Sequence, residues 1–241
     1  MKIPQKRNGF SLTEVLLAVG TLAIGMVFIG GTFFAGIHFT TITTERTIAS
    51  VVADEAINKI RLLGIDPNNP ELAYSQMTPF ENLVNISDDE FAYPSTRTLT
   101  NKQYFWSALC RRESSDQTDR LLQLTVFVSR KVGTGTLYPG DVTRPIPVNV
   151  NVTLAAGAGS ENRLTINNVD EQSFINDGST IIDNATGMIY RVLERDADAP
   201  NTIVLDKSWQ GGSAGSVWVV PPPIDGGRYP CIVVYQKVVR F

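Results

Sequence analysis

The hydrophobic and polar positions divide this chain sharply. Residues 15–37, VLLAVGTLAIGMVFIGGTFFAGI, are 23 consecutive positions without a charge. At about 1.5 Å per residue a helix of that length spans roughly 35 Å, enough to cross the hydrocarbon core of a bilayer. The apolar character runs all round this stretch. Further on it narrows to one face, where Ile48, Val52, Ala56, Ile60 and Leu63 recur at three- and four-residue steps, the period of an amphipathic helix. The other face carries Thr44, Glu45, Arg46, Asp54, Asn58 and Lys59. No proline falls between Pro4 and Pro67. The pattern predicts one helix over 10–63, with residues 10–39 as its membrane-spanning part. Gly64 and the run Asp66-Pro67-Asn68-Asn69-Pro70 stop it.

Beyond residue 64 the period changes to two. Residues 103–113 and 120–132 flank a polar turn at 114–119 and read as a hairpin, with Leu122, Leu124, Val126 and Val128 in alternation. Ile146, Val148, Val150, Val152 and Leu154 alternate again and read as a third strand; the run CIVVYQKVVRF at 231–241 reads as a fourth. These elements predict an α+β fold, a long helix packed on an antiparallel sheet built from 64–154 and 223–241. Residues 155–222 form something extra. Short strand candidates at 164–166, 179–182, 188–194, 203–207 and 217–220 alternate with turn signals, among them Asp183-Asn184-Ala185-Thr186-Gly187. That spacing predicts a β-rich insert, a small barrel or sandwich; one larger continuous sheet is the alternative.

Charge sharpens the picture at the N-terminus. The chain has 21 basic and 24 acidic residues, net −3, yet Lys2, Lys6 and Arg7 fall in the first nine positions with no acidic residue among them. The remainder is mildly acidic, which argues against general affinity for nucleic acid, since that depends on neutralising phosphates. Two cysteines and one histidine, His38, are too few for most zinc sites or a histidine-based triad. His38 follows the apolar run directly and reads as an interfacial residue. No nucleophile elbow, phosphate loop or dinucleotide fingerprint occurs. The chain is not expected to be an enzyme.

A secretory signal peptide also pairs a basic start with an apolar run, but its core is about 7–15 residues long, and Glu14 would sit within this one. A plain membrane anchor offers no reason for that carboxylate, which costs a few kcal/mol in lipid. The residues Gly9-Phe10-Ser11-Leu12-Thr13-Glu14 resemble the prepilin-peptidase site of type IV pilins and type II secretion pseudopilins. The resemblance implies a leader at 1–9, cut between Gly9 and Phe10 by a membrane peptidase that then N-methylates Phe10. Glu14 matches the family's glutamate. Cleavage creates an α-amino group with a pKa near ~8, and pairing it with Glu14 removes two uncompensated charges from an apolar fibre core. The resemblance implies that this amine belongs to a neighbouring subunit.

The stretch TERTIASVVADEAINKIRLLG at 44–64 is similar to minor subunits of the pilus-modification type and to minor pseudopilins. The resemblance is strong over about the first quarter of the chain and architectural beyond it. It implies a minor pilin or pseudopilin acting in fibre initiation or at the tip. Other pilin subunits, the prepilin peptidase, the inner-membrane assembly platform and, before assembly, membrane lipid would be its partners. The chain would cross the inner membrane once with its C-terminal domain outside the cytoplasm, then enter a periplasmic or surface fibre. A large body favours the minor role. The alternative is an adhesin or DNA-uptake pilin whose β domain binds a ligand. In the family a short stretch of this region can unwind in the fibre, and Gly30-Gly31 is the nearest equivalent here; close packing of helices through these small residues is the alternative.

Three other features carry expectations. In an oxidising compartment Cys110 and Cys231 are expected to form a disulfide joining the hairpin to the last strand, two buried thiols being the alternative. Asp196 and Asp198, with Asn201 nearby, are weak calcium candidates; they lack the spacing of a calcium-binding loop and read first as a solvated turn. No other cofactor is expected. Arg111-Arg112 and Arg130-Lys131 lie on the two hairpin arms, where they read as solvated strand edges or a basic patch.

Overall fold

The computed structural model describes residues 9, 11–95, 102–116, 119–133, 135–157 and 160–241. Residues 1–8 of the expected leader, and Phe10, lie outside the described residues. The chain divides into two compact units, Met1–Thr47 and Ile48–Phe241.

One helix, α1 (Leu12–Leu63), spans 52 residues and runs without a break through Gly30 and Gly31. Gly64 ends the helix at φ +76°, and its N–H donates to the Ile60 carbonyl at 3.0 Å. This left-handed cap satisfies a terminal carbonyl at a conformation only glycine adopts without strain. The Asp66 and Asn69 carboxyl and amide oxygens accept from the N–H groups of Asn68 and Glu71, both at 2.9 Å, and turn the chain away.

In the second unit, β1 (Thr78–Pro79), α2 (Phe80–Leu83), a short 3-10 turn (Asp88–Phe91) and β2 (Ala92–Tyr93) precede the hairpin of β3 (Tyr104–Arg112) and β4 (Leu121–Arg130). Next come β5 (Val148–Leu154), β6 (Arg163–Ile166), β7 (Thr180–Asp183), β8 (Ile189–Arg195), β9 (Thr202–Leu205), β10 (Ala214–Val219) and β11 (Cys231–Arg240). The antiparallel sheet runs β1–β3–β4–β11, with β2 also on β3; β10, β5, β6, β9, β8 and β7 close into a barrel.

The sheet is covered on both faces. Ala49, Val52, Ala53, Ala56 and Ile60 of α1 bury against Trp106, Cys110, Leu122, Leu124, Val126 and Val128. Leu109 and Phe127 point the other way, into a core shared with Met77, Ile182 and Val220. Leu122, Leu124, Val126, Phe127 and Val128 are all fully buried, which is why β4 reads as nearly continuous apolar sequence. The barrel has its own core of Val150, Val152, Leu164, Ile166, Tyr190, Val192, Ile203, Leu205 and Val217.

One sequence expectation is corrected here. Residues 146–154 were expected to supply the sheet's third strand, but β5 pairs with β10 and β6 inside the barrel. Alternation shows that one face of a strand is buried; it does not say in which core. The barrel thus begins at Val148, within the segment expected to belong to the pilin-type domain.

Beside that shared core, one turn of the barrel ties it to the sheet by hydrogen bonds. The Asn184 side-chain oxygen accepts from the Met77 N–H at 3.0 Å and the Trp218 indole N–H at 2.8 Å. Arg111 donates to the Ala185 carbonyl at 2.6 Å, and the Gln236 amide to the Gly187 carbonyl at 2.5 Å. Gly187 has φ +71°, and a Cβ there would lie 2.6 Å from Gln123 Oε1. The left-handed φ is what favours glycine here, since any other side chain would be strained in that conformation.

Candidate functional site

The first turn of α1 is a reciprocal cap. The Ser11 N–H donates to Glu14 Oε2 at 3.1 Å, and the Glu14 N–H donates to Ser11 Oγ at 3.3 Å. The Ser11 carbonyl accepts the first helical bond, from Val15 at 3.2 Å. This is the serine–x–x–glutamate box, which satisfies two of the backbone donors that every helix start leaves without an intrahelical partner. Glu14 also places negative charge at the positive end of the helix dipole. Ser11 is the residue the sequence reading missed, although its three-residue spacing to Glu14 was the available signal. Gly9 is exposed, with open space around its Cα.

Directly after Glu14 the surface turns apolar. Val15, Leu16, Leu17, Val19, Leu22, Ile24, Met26, Val27, Phe28 and Ile29 are all exposed, as are Phe33, Phe34, Ile37 and Phe39. The helix is long and apolar enough to cross a membrane. Its hydroxyls suit the same setting. Thr21 donates to the Leu17 and Ala18 carbonyls at 3.1 and 3.0 Å, and Thr32 to Ile29 at 2.9 Å. Thr40, Thr41, Thr43 and Thr47 each donate to the carbonyl four residues back at 2.8–2.9 Å. Each hydroxyl thus has a partner on its own helix and needs no water, so these positions present mainly methyl groups outward.

The other expected sites separate in the fold. Cys110 and Cys231 are free thiols. Cys110 pairs with Leu124 and Cys231 with Ser129 along β4, so they are offset by five residues, about 17 Å along the strands. They also serve different cores, Cys110 facing α1 and Cys231 the opposite side. A disulfide requires Cα atoms within about 7 Å, so the expected bridge is corrected to two separate thiols. Burial holds the Cys110 thiol far above its ordinary range and pushes Cys231 up to about 12. Both are therefore poor nucleophiles near neutrality.

The basic patch also dissolves. Arg112 is buried and donates to the Leu72 carbonyl at 2.9 Å and to the Pro67 carbonyl; Arg111 is buried and donates to Gln123 Oε1 at 2.9 Å. Arg112 stands opposite Leu122, whereas Arg130 is opposite Tyr104, eight residues or roughly 26 Å further along. Arg130 and Lys131 line an open groove of about 1170 Å³ whose wall also holds Asp88, Asp89 and Glu90. Charges of both signs meet there. A fourth arginine, unremarked in the sequence, organises that region. Arg144 is buried, donates to Asp88 at 3.1 Å, to Ser107 at 3.2 Å and to Glu81, and lies 4.2 Å from the Phe91 ring centre.

Asp196 forms an ion pair with Arg163 at 2.7 Å and accepts from the Asp198 N–H at 3.0 Å, the geometry of a closed turn. Asp177 accepts from the Arg195 N–H, and Asp183 caps its own turn through Ala185 and Thr186. Among the described residues no three histidine, cysteine or acidic side chains converge as a metal group would need. Comparison of the chain with protein-family models, curated proteins and solved structures finds no match.

Proposed function

We propose that this chain is a minor pilin or pseudopilin, a structural subunit that enters a helical fibre through α1 and serves at its initiation or tip. It is the substrate of a membrane peptidase rather than an enzyme. One observation carries the reading: an exposed, uncharged helical surface of 23 residues begins immediately after a carboxylate that caps the helix. A lipid anchor needs the apolar surface alone. A fibre subunit also needs the carboxylate, because it gives an incoming helix a fixed electrostatic register against an amine on its neighbour. The second half of α1 supports the reading further, since its Ala49, Val52, Ala53, Ala56, Ile57 and Ile60 pack into the core of an antiparallel β domain. On this reading the subunit crosses the inner membrane once, leader inside, and later joins the fibre with its β domain outside the cytoplasm.

The test is the mature N-terminus. Coexpression of the full chain with an active prepilin peptidase should yield a product beginning at N-methylated Phe10, identified by mass spectrometry of the intact chain. Gly9→Val should leave residues 1–9 attached. A native chain that keeps Met1, beside a control prepilin that is cut, would refute the proposal.

A further inference from the structure

The two edges of the sheet are finished differently. On one side β3 is covered by β1 and β2, strands of two residues each, and β1 ends in Pro79, which has no N–H to offer a further strand. The barrel closes on itself and has no edge. β11 is ten residues long, contains no proline, and among the described residues pairs only with β4.

The hydrogen-bond phase shows which groups are unpaired. The Phe241 N–H donates to the Arg120 carbonyl at 3.1 Å, and Arg240 stands opposite Leu121. In an antiparallel ladder, backbone groups alternate between facing the partner and facing away. Tyr235, Lys237 and Val239 therefore turn their N–H and C=O toward β4, while Val234, Gln236, Val238 and Arg240 turn theirs outward. A bulge between Cys231 and Val233 limits the regular part to this end. Gln236, Lys237, Val238 and Arg240 are exposed. Unpaired edges of this length are normally shortened, charged inward or covered, because they are templates for another strand.

The side chains define what would fit. Val234 and Tyr235 are half-buried and apolar, and Val238 is 49% exposed. Lys237 and Arg240 are the strand's only charges, both positive, and by alternation they stand on opposite faces of the sheet. We infer that β11 receives an extended strand from another protein chain, apolar beside Val234–Tyr235 and acidic on both faces beside Lys237 and Arg240. Main-chain bonds to the four outward residues would supply most of the contact, and the two cations would select the partner. The inference rests on the sheet alone, so the N-terminal processing test does not bear on it.

The experiment is residue-resolved amide exchange on the full chain in detergent micelles. In the free chain the amides of Val234, Gln236, Val238 and Arg240 should exchange at least tenfold faster than those of Tyr235, Lys237 and Val239. An eight-residue probe of valine and threonine ending in two consecutive glutamates should then protect those four amides. The same peptide ending in two lysines should bind at least tenfold more weakly. Val238→Pro removes one outward N–H and no bond to β4, and should weaken the glutamate peptide at least tenfold. The double variant Lys237→Glu, Arg240→Glu should reverse the preference, and it decides the matter if the proline variant fails to fold. Four outward amides already slow in the free chain would overturn the inference. So would no protection by the glutamate peptide, binding indifferent to Val238→Pro in the folded variant, or a preference unchanged by charge reversal. Protection that grows with protein concentration and resists the peptide would assign the edge to a second copy and overturn the acidic partner.

Discussion

Substitution of Glu14 separates two roles of one carboxylate. As a cap, Glu14 accepts the Ser11 N–H at 3.1 Å and its own N–H reaches Ser11 Oγ at 3.3 Å. An exposed cap of this kind contributes about 1 kcal/mol. Glutamine keeps an oxygen at the same reach and should preserve most of it; alanine should lose it. As a charge, Glu14 would meet the amine of processed Phe10 inside an apolar fibre. Removing one partner of a buried ion pair costs about 3–5 kcal/mol, which is a loss of roughly 100-fold to several thousandfold at about 1.4 kcal/mol per factor of ten. The expected pattern follows from the difference. Both Glu14→Gln and Glu14→Ala should be processed at the wild-type rate. Glu14→Gln should retain wild-type helicity by circular dichroism in micelles, yet enter fibres about 100-fold less than a coexpressed wild-type chain, much as Glu14→Ala does. The assay is the variant-to-wild-type peptide ratio in purified filaments by quantitative mass spectrometry. Glu14→Gln incorporated within threefold of wild type, while Glu14→Ala is excluded, would show that capping suffices and refute the charge argument.

Three other results are expected from the second unit. Asn184→Ala orphans two donors, the Met77 N–H and the Trp218 indole, and should destabilise by about 2–6 kcal/mol at ~1–3 kcal/mol each; Asn184→Asp keeps the acceptor and should recover at least half, read from denaturant midpoints. Protein recovered from an oxidising compartment should carry no bond between Cys110 and Cys231 by non-reducing mass spectrometry, and both thiols should alkylate quickly only after denaturation. The same burial sets an alkaline dependence. Cys231 and Tyr229 are each raised to about 12 from ordinary values of 9.0 and 10.0. Above pH ~9 the unfolded chain therefore holds fewer protons than the folded one, and stability should fall as pH rises toward 12. A midpoint that is flat or rising between pH 8 and 11 would contradict this.

Local pattern was enough for much of the architecture. The helix was expected over 10–63 and is described as Leu12–Leu63, because a long proline-free run with a glycine stop depends only on neighbours in sequence. The hairpin, the last strand and a β-rich insert were legible for the same reason, through period-two alternation and turn residues. The serine–x–x–glutamate cap was equally local, and was visible to anyone counting three residues from Ser11. Tertiary structure alone decided the pairings. Val148–Leu154 alternates as a sheet strand would, yet its partners are β10 and β6. Cys110 and Cys231 both sit on strands, but register and facing keep them apart. Arg111 and Arg112 read as surface charges until distant carbonyls are brought to them. Alternation records that one side of a strand is dry. Which core dries it, and which edge stays open, depends on contacts between residues tens of positions apart, and no short window of sequence contains them.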